Sequence, residues 1–197
     1  YRVLVLPDVL RMRAEEVAAV RAYVAAGGRV YASRLTSLNA TDGRPSEDFA
    51  LADLFGCHYG GEQTDAISYL RPSPSPAAGE LAAALAPQRC LAVRRQTDGR
   101  SGMVTLGGPM AGQPLATRTA SMYAEPGSVV DRRYISLHSS PPWRDTDEPM
   151  LIHHRFGQGE VIYSAANLEA LDAPAASRLW LALLRRLAGA PWRVEVQ

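Results

Sequence analysis

Thiols are nearly missing from this 197-residue chain: Cys57 and Cys90 are its two cysteines, and no CxxC pair occurs. At most one disulfide is possible, so a disulfide-stapled fold or a cysteine-rich metal knuckle is excluded. Both cysteines read as small buried hydrophobes. Charge of one sign is missing as well, since 21 basic residues offset 20 acidic ones and leave a net +1. That balance creates no field for nucleic acid or an anionic membrane, and Arg185-Arg186 is too small a basic cluster to change it. No apolar run nears the roughly 18 residues of a membrane span, and no stretch reads as a signal peptide. Neither nucleic acid nor membrane is therefore an expected partner. A cytoplasmic location is expected, with secretion left open, because the chain starts on Tyr1 without a methionine and reads as a piece of a longer protein. HExxH and GxSxG are absent, and no ligand-type residues gather at metal spacing, so no metal and no cofactor are expected.

What is present begins with an aliphatic run, Val3-Leu4-Val5-Leu6, which suits a strand covered on both faces. From Ala14 to Ala26 the pattern turns helical, with Val17, Val20 and Val24 on one stripe and Glu15-Glu16 opposing the dipole in the first turn. Gly27-Gly28 stops this helix, and Val30-Tyr31-Ala32 forms a second strand whose exit, Ser33-Arg34-Leu35-Thr36-Ser37, is polar. A strand–helix–strand unit belongs to a parallel sheet, where ligands sit at the carboxyl ends of strands. Asp8 and Ser33-Arg34 are thus expected at one crevice. A short helix over 47–55 ended by Gly56, a strand over 66–70 and a helix over 77–85 follow. Residues 90–95, 102–106, 115–123 and 129–137 read as short strands with no long helix between them, a β-rich insertion over roughly 88–148. Two strands, 150–155 and 160–164, flank the hairpin turn Phe156-Gly157-Gln158-Gly159. The last helix starts at Pro174 with Asp172 as its N-cap, buries Leu179, Trp180, Leu183, Leu184 and Leu187, and ends at Gly189.

Leu6-Pro7-Asp8-Val9, the helix end Tyr23–Gly28 and the strand exit Ala32–Ser37 resemble the class I glutamine amidotransferase-like fold. More closely, they resemble its non-catalytic form in glycoside hydrolases, the beta-galactosidase trimerisation-like domain. The run Asp48–Gly56, the hairpin His154–Tyr163 and the leucine-rich closing helix resemble the same group. The resemblance implies a flavodoxin-like three-layer α/β sandwich with a mostly parallel sheet, one domain over 1–197. It also implies a place downstream of a sugar-cleaving barrel in the same polypeptide, and a role in homo-oligomer assembly or in bordering a partner's active site. In true amidotransferases the elbow after the second of these strands holds a nucleophilic cysteine. Here that place falls to Ser33 or Arg34, and neither cysteine lies near it in sequence. The fragment is therefore expected not to be catalytic itself, within a parent glycosidase.

Each candidate residue has a plainer reading beside the chemical one. Ser33 on the elbow would need a base among His58, His138, His153 and His154, and Ser33, His138 and His154 are the weak catalytic candidates. Tyr31–Leu35 lacks the glycines of a nucleophile elbow, which favours a turn or capping role. Arg34 would hold a carboxylate or a sugar hydroxyl, or form an ion pair. His153-His154 face opposite ways in a strand and cannot share a metal, so one is expected core-side and one in solvent. Gly157-Gln158-Gly159 lies between two strands, which makes it a turn rather than a phosphate cradle. Sugar hydrolysis would need two carboxylates about 5–9.5 Å apart, and Asp8, Asp42 and Glu169 are the candidates. Trp143, beside Ser140-Pro141-Pro142 in a polar loop, is the aromatic expected to be exposed. Asp8, Arg34 and Trp143 are the expected ligand or interface residues. Two other functions compete with the accessory role: a free-standing hydrolase using Ser33 and a histidine, and a small carbohydrate-binding module using Asp8, Arg34 and Trp143.

Overall fold

The computed structural model describes residues 1–39, 46–63, 65, 67–94, 103–122 and 140–189. Its opening is the expected unit: β1 (Val3–Leu6), α1 (Ala14–Ala25) and β2 (Arg29–Ser33), with Val3 opposite Arg29 and Leu6 opposite Ala32 in parallel register. Val17, Val20 and Val24 are the buried stripe of α1, and the Glu16 carboxylate accepts the Arg13 N–H at 2.8 Å to close its first turn. After α2 (Ala52–Phe55) come β3 (His58–Glu62), β4 (Ile67–Pro72), α3 (Gly79–Leu85), β5 (Leu91–Arg94) and β6 (Val104–Gly107). The chain then forms β7 (Gln113–Ser121), β8 (Pro142–Phe156), β9 (Gly159–Ser164) and α4 (Pro174–Ala188).

The expectation of a mostly parallel, flavodoxin-like sheet is overturned. The main sheet has seven strands in the order β1-β2-β9-β8-β7-β4-β5. Only β1–β2 and β2–β9 are parallel, whereas β9–β8, β8–β7, β7–β4 and β4–β5 are all antiparallel. The physical cause is connectivity: parallel neighbours need a crossover, as α1 supplies between β1 and β2, whereas β8 turns back into β9 by a tight hairpin and α3 returns the chain antiparallel from β4 to β5. Residues within 88–148 supply β5, β7 and the first half of β8 to that sheet, while β6 pairs with β3 in a separate two-stranded ribbon.

Helices lie on both faces. Arg21 of α1 forks onto Asp53 of α2 at 2.9 Å, and these two helices share one face. On the other face α4 packs against α3 and the first strands, with Trp180 set edge-on to Tyr31 at 4.4 Å between ring centroids. The α2 side of the core is aromatic: Phe55 stacks on Tyr163 at 4.5 Å, and Phe49 meets both rings. The hairpin turn between β8 and β9 docks on the end of α1, where Gln158 N–H donates to Ala25 O at 3.1 Å. Gly157 has φ +57 there, and a Cβ would stand 2.8 Å from Ala25 Cα.

Several local expectations are corrected. The helix expected over 47–55 is a single turn, because Asp48 is spent on a loop: its Oδ1 accepts N–H groups from both Phe49 and Tyr59 at 2.8 Å. Ala173, not Asp172, occupies the N-cap of α4, with no side-chain cap. Trp143 stands in β8 rather than in a loop. Cys57 is buried, but Cys90 is only partly so, and both thiols are free. The strand expected over 129–137 lies outside the described residues. β1 and β5 are the sheet edges, and Val5 on β1 is exposed.

Candidate functional site

The exits of β1 and β2 converge on a polar cluster. Asp8, Arg34 and Ser37 each hold a positive φ (50°, 46° and 65°), a backbone state that costs an L-residue about 1–2 kcal/mol. Hydrogen bonds tie this strained corner down. Arg34 N–H donates to Ser164 O at 2.8 Å, and the Tyr163 hydroxyl donates to Arg34 O. The Thr36 hydroxyl accepts from Val9 N–H at 3.1 Å and lies 2.7 Å from Ser33 O and 3.0 Å from Leu6 O.

Four of the expected residues, Asp8, Ser33, Arg34 and Glu169, meet here. Asp8 N–H donates to Ser33 Oγ at 3.0 Å, and Asp8 Oδ1 accepts Leu35 N–H at 3.0 Å. Asp8 Oδ2 lies 3.1 Å from Arg34 Nη1. The Arg34 side chain is only 6% exposed against 25% for Asp8, and its second nitrogen faces Glu62 at 3.8 Å. Arg34 Nε has no hydrogen-bond partner among the described residues. Ser33 donates its proton to Glu169 Oε1 at 2.6 Å, and Tyr31 donates to Glu169 Oε2 at 2.9 Å. Burial, then the Glu169 carboxylate, pushes the Tyr31 phenol well above its ordinary value. Among the described residues no histidine contacts Ser33 Oγ. The arrangement neutralises and positions charge.

The other expected residues are dispersed. His154 donates from Nδ1 to Leu54 O at 3.0 Å, fixing α2 to β8, while His153 Nε2 lies 2.9 Å from Glu160. Both rings are partly buried, so neither takes the fully solvated place expected for one of them. His58 pairs with Asp48 at 2.6 Å. His138 and Asp42 lie outside the described residues. Trp143 is 44% exposed and lines a separate cavity. No group of three metal-ligand side chains occurs among the described residues, nor does any helix long and apolar enough to cross a membrane.

Sequence reasoning missed Glu62, Tyr31 and Tyr163 as members of the cluster. Tyr31 and Ser33 sit two apart on one strand and so share a face, a signal that was available. Tyr163 is legible only through the β2–β9 register, where it opposes Ala32. Glu62 carries no signal at all, because His58–Glu62 contains two glycines and does not read as a strand.

No protein-family model and no curated protein matches the chain. Solved structures do. The chain is similar to a beta-galactosidase from Rahnella sp. R3, at 14% identity over 95% of this chain and 23% of that one, with a TM-score of 0.62. It is similar to alpha-L-fucosidase isoenzyme 2 from Paenibacillus thiaminolyticus, at 24% identity over 96% of this chain and 25% of that one, with a TM-score of 0.64. A cytoplasmic protein from Salmonella typhimurium matches at 11% identity over 94% of this chain and 71% of that one, with a TM-score of 0.59. The chain thus spans about a quarter of the length of the two enzymes. At these identities the likeness establishes the fold.

Proposed function

We propose that the chain is a non-catalytic accessory domain of a glycoside-cleaving polypeptide, acting in its assembly. The observation that carries this reading is Arg34: the strained exit of β2, where a nucleophile would stand, presents a buried guanidinium neutralised by Asp8. Ser33 beside it hydrogen-bonds to Glu169, whose other oxygen accepts from Tyr31, and no histidine contacts the Ser33 hydroxyl among the described residues. The likeness to roughly a quarter of two sugar-cleaving enzymes supports a place alongside a catalytic barrel in one polypeptide. An assembly role follows from that partnership, since a domain without chemistry acts through its surfaces. The identification with a trimerisation-like domain, and with a homo-oligomer, is part of the same proposal.

The test compares the isolated chain with the product of its complete gene, on a panel of nitrophenyl glycosides and by light scattering. The isolated chain should show no turnover, and the complete product should cleave a glycoside as an oligomer. Turnover by the isolated chain that disappears in Ser33→Ala would overturn the reading in favour of a hydrolase. So would a complete gene product without a sugar-cleaving segment.

A further inference from the structure

A second polar site lies away from the strand-exit cluster, on the sheet face that carries α3. Strand register and a bulge build it. The β7–β8 register sets Thr119 opposite Asp145, and Trp143, the extra residue between the Ala120–Arg144 and Ser121–Pro142 pairs, lines the same cavity. Thr119 donates to Asp145 Oδ1 at 2.5 Å. On β4, Arg71 sits opposite Thr117 and reaches the same carboxylate. Its Nε lies 3.0 Å from Asp145 Oδ1, an ion pair too bent to be a hydrogen bond, so a donor largely hidden from solvent is left unsatisfied. The α3–β5 connection adds Gln88 and Arg89, and Cys90 sits on the wall. The half-open cavity these residues line holds about 540 Å³, within the roughly 300–1,000 Å³ of small-ligand sites.

We infer that this cavity is a saccharide-binding site in which the Trp143 indole is the stacking platform and the Arg71–Asp145 pair reads adjacent ring hydroxyls. The chemistry selects the ligand class. A cation would meet two guanidinia, and an anion would meet the Asp145 carboxylate. A purely aromatic or aliphatic ligand would leave the Arg71 donor unsatisfied, which is costly in a partly desolvated site. A pair of vicinal hydroxyls suits both charges at once, because one can donate to Asp145 while its neighbour accepts from Arg71. The apolar C–H face of a pyranose then covers an indole that is otherwise exposed to water over 44% of its surface. Gln88 and Arg89 supply further donors at the rim. The inference extends the accessory reading and rests on it only for the expectation that glycans reach this face.

The experiment uses saturation-transfer NMR with methyl pyranosides of gluco, galacto, manno and fuco configuration. At least one should bind with millimolar affinity, and Trp143→Ala should weaken it about tenfold or more, with Trp143→Tyr recovering part of the loss. The indole is on the surface, so circular dichroism and melting of Trp143→Ala should stay near wild type. In the unmutated protein the same sugar should slow alkylation of Cys90 by N-ethylmaleimide, a footprint that needs no variant. Absence of binding at about 50 mM of every pyranoside, binding untouched by Trp143→Ala, or an unchanged Cys90 rate would each overturn the inference. None of these outcomes bears on whether the complete gene product cleaves glycosides, so failure here is distinguishable from failure of the accessory reading.

Discussion

Replacing Arg34 by alanine and by glycine separates the two energies stored at the β2 exit. Two unit charges 3.1 Å apart attract by about 5 kcal/mol at an effective dielectric near 20. Desolvation of the guanidinium, only 6% exposed, consumes much of that gain, so truncation is the informative perturbation. Alanine leaves Asp8 with one remaining hydrogen bond, from Leu35 N–H at 3.0 Å, and with its 25% exposure to water as partial compensation. The expected loss is therefore about 3 kcal/mol, at the low end of the range for a broken buried pair. Glycine loses the same charge but relieves the left-handed backbone of residue 34, φ +46. That relief is worth about 1–2 kcal/mol, less the roughly 0.4–1 kcal/mol that glycine's freedom adds to the unfolded chain. Arg34→Gly should thus be more stable than Arg34→Ala by about 0.5–1 kcal/mol. Urea denaturation measures both, and a chain of this size should lose roughly 6–12 °C of Tm in the alanine variant. A cycle with Asp8→Ala should return a coupling of about 2 kcal/mol. A loss below about 1 kcal/mol for alanine, or glycine falling below alanine, would refute the argument.

Two further outcomes follow from buried titratable groups. Burial, then the Asp48 carboxylate, pushes the Cys57 thiol up to about 12, and burial raises Cys90 less. At pH 8 the native protein should release one equivalent with a disulfide reagent, slowly, and two once unfolded in guanidinium; two native equivalents would contradict the burial of Cys57. Burial, together with Glu169 for Tyr31 and with Cys57 for Tyr163, holds both phenols well above the ordinary 10.0. The folded state therefore keeps protons that the unfolded state gives up above pH 10. The phenols' share of the stability is fully present below that pH and falls as pH rises past it, by about 1.4 kcal/mol per pH unit for each phenol, on top of the loss that the raised Cys57 thiol adds above its ordinary 9.0. Tyr31→Phe and Tyr163→Phe should each remove about 1.4 kcal/mol per pH unit from that alkaline slope in denaturation experiments, and an unchanged slope would count against the buried assignment.

Legibility in the sequence followed the range of the interactions. The β1–α1–β2 unit, the β8–β9 hairpin and α4 are set by local pattern, in that apolar spacing, a glycine stop and a glycine turn lie within a few residues of one another. Their boundaries read almost correctly for that reason, except that β8 starts at Pro142 rather than at Met150, because its first half pairs with β7. Strand direction is not local. Residues 66–70 and 115–123 read as strands from their composition, but nothing in either run states that one lies antiparallel beside the other; that is decided by which edge of β8 is free once β9 has docked between it and β2. The early parallel pair therefore misled the reading of the whole sheet.

The candidate site divides in the same way. Asp8 and Arg34 were visible because each lies just past a strand end, and the carboxyl ends of parallel strands meet. Glu169 was visible as a carboxylate but not as the acceptor for Ser33, which comes from a turn 136 positions away. Trp143 was visible as an aromatic among prolines, whereas its partners Arg71 and Asp145 were not. They are joined across β4, β7 and β8 by a register that contains several bulges. Each bulge shifts which side chains share a face, so residue type alone cannot assemble that cavity. The Asp8–Ser33–Arg34 part of the strand-exit cluster, by contrast, depends on one unbulged parallel pairing. Those residues could be named from sequence because no intervening strand had to be placed first, whereas Tyr163 depends on the β2–β9 register and Glu62 on the β3–β6 ribbon.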